Sequence, residues 1–124
     1  MTSFSNMVTV SVGDQNYTLV LNDIAEAREF AERLPLTLTM NFGDYSGSVT
    51  LNTGITNSGT VTNEYHADKG ALVLAGERGL NLSMFNGLVF TSNKAYVTIG
   101  NIQNTAGLES FSKQGNIEIS FTAQ

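Results

Sequence analysis

The stretch Ala27-Arg28-Glu29-Phe30-Ala31-Glu32-Arg33-Leu34-Pro35-Leu36-Thr37-Leu38-Thr39-Met40 changes its hydrophobic period in the middle, and that change sets the fold class. Before the proline, Ile24, Ala27, Phe30, Ala31 and Leu34 recur at spacings of three and four, which places them on one face of a helix. Asp23 followed by Glu26 reads as a capping box, with acidic charge at the helix start and Arg33 near its end. Glu29 and Arg33, at i and i+4, are expected to pair on the wet side. Pro35, the one proline of the chain, stops the helix because it has no N–H to donate. After it Leu36, Leu38 and Met40 alternate with Thr37, Thr39 and Asn41, the period of a half-buried strand.

Outward from this junction the chain reads almost entirely as strands. Upstream, Val8, Val10 and Val12 alternate with Thr9 and Ser11; a Gly13–Asn16 turn and the run Tyr17–Leu21 complete an opening hairpin. Downstream, a turn from Gly43 to Gly47 leads to a short strand over Ser48–Leu51. Asn52–Asn63, rich in Asn, Thr and Gly, reads as a long loop with a frayed edge strand. Ala71–Ala75 and Leu80–Phe85 flank Gly76-Glu77-Arg78-Gly79 as a hairpin, and Asn86–Lys94 is a loop carrying apolar Leu88, Val89 and Phe90. Tyr96–Ile102 is a strand, Thr105–Lys113 a helical turn with Leu108 and Phe111 inward, and Ile117, Ile119 and Phe121 mark the last strand. About eight strands with one early helix predict a mainly β domain closed into a barrel, since closure removes exposed edges; a β-sandwich is the alternative.

Length and composition agree with one domain over residues 1–124, with residues 1–6 as a loose N-terminal tail. Hydrophobic residues make up 41%, enough for a packed core, and the absence of Cys excludes disulfides, thiolate catalysis and Cys-ligated zinc. The net charge is −5, and the six basic residues are scattered, which argues against nucleic acid and anionic membranes as partners. The opening MTSFSNMVTV has no basic n-region or long apolar stretch, so it is not a signal peptide, and cytoplasm is the expected compartment.

The helix–strand segment from Ala27 to Met40 is similar to that of a bacterial cyclophilin-like family, whose members follow an opening hairpin with a short helix, a Leu-Pro break and a Leu-Thr-Leu-Thr-Met strand. Gly70-Ala71-Leu72-Val73-Leu74, Ile99-Gly100-Asn101-Ile102, Leu108 and the closing Ile117-x-Ile119-x-Phe121 strand resemble later parts of that family in the same order. The resemblance runs from about Val8 to Phe121 and implies a small cyclophilin-like barrel. Asn101 departs from the Arg that members often carry, and Gly76–Phe90 matches poorly. The isomerase residues of true cyclophilins are absent: there is no Gln-Gly-Gly-Asp run, no Trp, and a single His.

Several residues invite a chemical reading. Glu64, His66 and Asp68 alternate and would share a face of an extended strand, as metal ligands or an acid–base pair; one His makes a polar loop the preferred reading, and no metal or other cofactor is expected. Arg78 at a hairpin tip is either a solvated charge or a guanidinium offered to a carboxylate or carbonyl. Tyr45, Tyr65, Phe85, Phe90 and Tyr96 lie at strand ends and in loops, where aromatics plug the barrel or line a shallow groove. With His66 and Arg78 they are the candidate groove residues, the groove being bounded by Asn52–Asn63 and by Phe85–Phe90. Asp44 is an ordinary turn residue. The expected function is a non-enzymatic module that binds a peptide, protein or small molecule. An isomerase with an unfamiliar site is the second reading, and an oligomer formed through the apolar loop is a third.

Overall fold

The computed structural model describes residues 6–124. β1 (Met7–Val12) and β2 (Gln15–Leu21) form the opening hairpin, and α1 (Ala25–Glu32) follows. β3 (Leu36–Phe42), β4 (Ser46–Thr50), β5 (Val61–Thr62), β6 (Tyr65–Ala67), β7 (Ala71–Ala75) and β8 (Gly79–Ser83) come next. Then come β9 (Leu88–Phe90), β10 (Lys94–Ile102), a 3-10 turn (Leu108–Phe111) and β11 (Gly115–Ala123). Of the expected tail, residues 1–5 lie outside the described residues, while Asn6 is tied down: its carbonyl accepts the Leu21 N–H at 2.7 Å.

Eight strands run β2-β1-β11-β3-β4-β8-β7-β10, and β10 returns to β2 through Gly100↔Leu21, Asn101↔Val20 and Ile102↔Leu19. The sheet is therefore a closed antiparallel barrel. Two glycines make room where backbones and side chains crowd. A Cβ on Gly47 would lie 2.7 Å from the Phe42 ring and 2.8 Å from Met40 Sδ. A Cβ on Gly100 would meet the Val20 carbonyl at 2.6 Å, beside the register shift that lets β10 pair with both β7 and β2.

The interior is filled by alternate residues of the barrel strands, including Val8, Val10 and Val12 of β1, Leu72 and Leu74 of β7, and Ile119 and Phe121 of β11. α1 lays its apolar face on one end, where the Phe30 ring meets Phe121 edge-on at 5.2 Å. No helix among the described residues is long and apolar enough to cross a membrane.

Two expectations change, and a third gains detail. The capping box does not form. The helix cap is Ile24 with no side-chain bond; Asp23 Oδ1 instead accepts from Arg28 Nε at 2.9 Å, and Glu26 is drawn away by a distant partner. The Asn52–Asn63 segment is the expected loop with a short edge strand, Val61–Thr62, on the start of β10, but it is pinned: Ile55 is buried in the core, and Arg33 donates to the Thr53 and Gly54 carbonyls at 2.6 Å. Finally, Asn86–Lys94 is not all loop: β9 pairs with β6 in a separate two-stranded sheet.

Candidate functional site

β6 and β9 form a flap over the outer face of the barrel. Leu72 and Leu74 of β7 point inward, so Ala71, Val73 and Ala75 point outward, and they form a second hydrophobic cluster with Ala67 and Tyr96. Tyr65 and Phe90 pack onto it from the flap. The Tyr96 ring stacks with Tyr65 at 5.2 Å and with Phe90 at 5.5 Å. Both phenols are satisfied: Tyr65 Oη bonds Thr98 Oγ1, and Tyr96 Oη donates to the Ser92 carbonyl, each at 2.7 Å. Three of the candidate aromatics are thus gathered into one stack.

Tyr45 and Phe85 belong elsewhere. With Asn86, Gly87, Leu88 and Val89 they line an open, mainly apolar depression of about 420 Å³ beside the flap. Phe85 follows β8, and Met84 before it is anchored by its N–H on the Tyr45 carbonyl at 3.0 Å. Met84 is fully buried, so the turn is held from below while the Tyr45 and Phe85 rings meet edge-on at 6.2 Å above it. Gly87, at φ +74°, shapes the turn into β9, and its N–H donates to Asp68 Oδ1 at 3.2 Å. Alternation along β9 then splits the apolar run: Leu88 and Phe90 are half-buried, and Val89 is exposed. Tyr45 is 62%, Phe85 37% and Val89 39% exposed; with Val61 they are the exposed large hydrophobics among the described residues.

Glu64, His66 and Asp68 do not converge. His66 Nε2 and Glu64 Oε2 lie 3.3 Å apart in solvent, whereas Asp68 is engaged with Gly87. No set of three metal-binding side chains occurs among the described residues. Arg78 is not a free tip, since its Nε donates to the Leu51 carbonyl at 2.7 Å.

The Asn52–Asn63 segment does not face Phe85–Val89 across a common groove. Asn52 and Thr53 line a separate depression of about 360 Å³ with Arg33, Leu36, Leu38 and Leu51. Farther along, Asn57 Nδ2 reaches the carbonyls of Gly76 (2.8 Å), Ala95 (3.0 Å) and Leu74 (3.3 Å), while its Oδ1 accepts the Gly59 N–H. Ser58 donates through both N–H (2.7 Å) and Oγ (2.8 Å) to Glu26 Oε2, and these bonds hold the Glu26 carboxyl below its usual range despite burial. None of these long-range pins is visible in local sequence.

The fold and its surface define a small closed antiparallel barrel with a capping helix, an external aromatic flap and an apolar depression beside it. The sequence model of the Cyclophilin-like family matches residues 10–122, and the chain belongs to that family. No curated protein and no solved structure matches it significantly.

Proposed function

We propose that this chain is a non-enzymatic binding module whose Tyr45–Phe85–Val89 depression receives an apolar side chain of a peptide, protein or small ligand. The observation that carries this reading is the convergence of three exposed large hydrophobics on one concave surface. Exposed apolar residues are ordinary when scattered; gathered in a depression over an anchored turn, they favour a ligand. Membership of the Cyclophilin-like family is what favours isomerase activity as the second reading, and a fold by itself does not specify chemistry.

Both readings meet in one experiment: exchange NMR on labelled protein with a small set of blocked Xaa-Pro peptides. The binding reading expects amide shifts at Tyr45 and Phe85–Val89, no acceleration of cis–trans exchange, and loss of the shifts in Tyr45→Ser and Val89→Ser. Accelerated exchange would make the protein an isomerase. Shifts confined to other surfaces would move the site.

A further inference from the structure

Between β3 and β4 the barrel wall is only half closed. β3 pairs with β11 along its whole length, from Gly115↔Phe42 to Phe121↔Leu36. Its pairing with β4 ends after two positions, Phe42↔Gly47 and Asn41↔Ser48. The Gly43 N–H donates to the Ser46 carbonyl, so the main-chain groups of alternate residues Asn41, Thr39 and Thr37 are directed to that same side. No ladder among the described residues meets Thr39 and Thr37 there.

The side chains report the same opening. Met40 and Phe42 are fully inside the barrel, and by alternation Leu38 and Leu36 face inward too, yet both are only half-buried. They form the floor of the depression that Leu51, Asn52, Thr53 and Arg33 close on the other side. Arg33 fixes that far wall through its bonds to the Thr53 and Gly54 carbonyls.

We propose that this cleft is a strand-addition site for an extended peptide segment of a partner protein. The segment pairs its main chain with Thr37 and Thr39 and lays an apolar side chain on Leu36, Leu38 and Leu51. The occupant's chemistry follows from the wall. Alternating unpaired N–H and C=O groups are met by an extended main chain, and an apolar floor at a period of two takes every second side chain. The edge lies between β3 and the Leu51–Thr53 wall, so a single strand fits it better than the broad sheet edge of a second barrel. This site stands independently of the Tyr45–Phe85–Val89 depression.

The test uses amide hydrogen exchange on labelled protein, alone and with a blocked hexapeptide of alternating threonine and leucine. An analogue N-methylated at alternate amides serves as control. In the free protein, Thr37 and Thr39 amides exchange at least tenfold faster than Leu38 and Met40, whose N–H groups face β11. The hexapeptide slows Thr37 and Thr39 at least tenfold, and the N-methylated analogue does not. Equal protection of all four amides in the free protein would mean the edge is already closed, and the proposal falls without any peptide. It falls equally if millimolar hexapeptide leaves Thr37 and Thr39 unprotected, or if both peptides shift only Tyr45 and Phe85–Val89.

Discussion

The two hydrophobic clusters share a wall and are built from different residues. Inside the barrel, β7 contributes Leu72 and Leu74, met by Leu80 and Leu82 of β8 and by Ile99. Outside, the same strand presents Ala71, Val73 and Ala75, and the volume comes from the mutually stacked rings of Tyr65, Tyr96 and Phe90 packed with them. A closed interior is filled to native density by long side chains from all sides, whereas a flap packs closely only where the wall beneath it is low. β7 is consequently buried at all five positions, because both of its faces are covered.

The largest break in this comparison is Phe30→Ala. The ring is fully buried between α1 and the barrel end, edge-on to Phe121, and the closed strand wall beneath it resists collapse into the space left behind. A loss of about 4 kcal/mol is expected, read from the denaturation midpoint at unchanged slope. Tyr96→Ala removes both stacks and the bond to Ser92, but the flap can settle onto the wall, so about 2–3 kcal/mol is expected. Its signature is local: amides of β6 and β9 exchange faster while β1 and β11 keep their protection. If Tyr96→Ala opened the whole barrel, the clusters would be one cooperative unit.

The smallest effect sharpens the comparison at the helix. Glu26 is 3% exposed, and its Ser58 bonds tie α1, part of the inner cluster, to the Asn52–Asn63 segment. Its carboxyl titrates below the ordinary value of 4.5 in the folded protein, so the stability it contributes is present above that value. That stability is lost as pH falls through the folded value. Glu26→Gln is expected to cost about 1 kcal/mol at neutral pH and to flatten this part of the acid limb. Parallel acid titrations of the two proteins by circular dichroism would show it, and superimposable curves would remove Glu26 as the pin.

What was legible in the sequence follows the range of the forces involved. The helix–strand junction at Pro35 announces itself because 3.6-residue and two-residue periods are local properties. Barrel closure followed from counting strands that need partners. β6 and β9, at three residues each, are too short to display a period, and they find one another across loops that separate the paired positions by 21 residues at Ala67↔Leu88 and 25 at Tyr65↔Phe90. The capping box misled because its signature says nothing of competing donors: Arg28 takes Asp23, and Ser58, 32 residues away, takes Glu26. At the candidate site, Leu88-Val89-Phe90 posed the choice between docking inward and facing outward, and strand alternation does both. The half-open wall at Leu36 and Leu38 left no trace, because a missing ladder has no sequence signal.

The pairing of β1 with β11 carries one more consequence. Val8 stands opposite Ala123, and the Gln124 N–H donates to the Met7 carbonyl at 3.1 Å. Entry to and exit from the barrel therefore share one doorstep, and the strand order around the wall is a ring with no privileged first member. Such a ring can be circularly permuted: a short bridge from Gln124 to Met7, with the chain reopened at the exposed Gly87 turn, retains every ladder of the wall. The same doorstep lets the barrel be spliced into a surface loop of a host protein without stretching that loop.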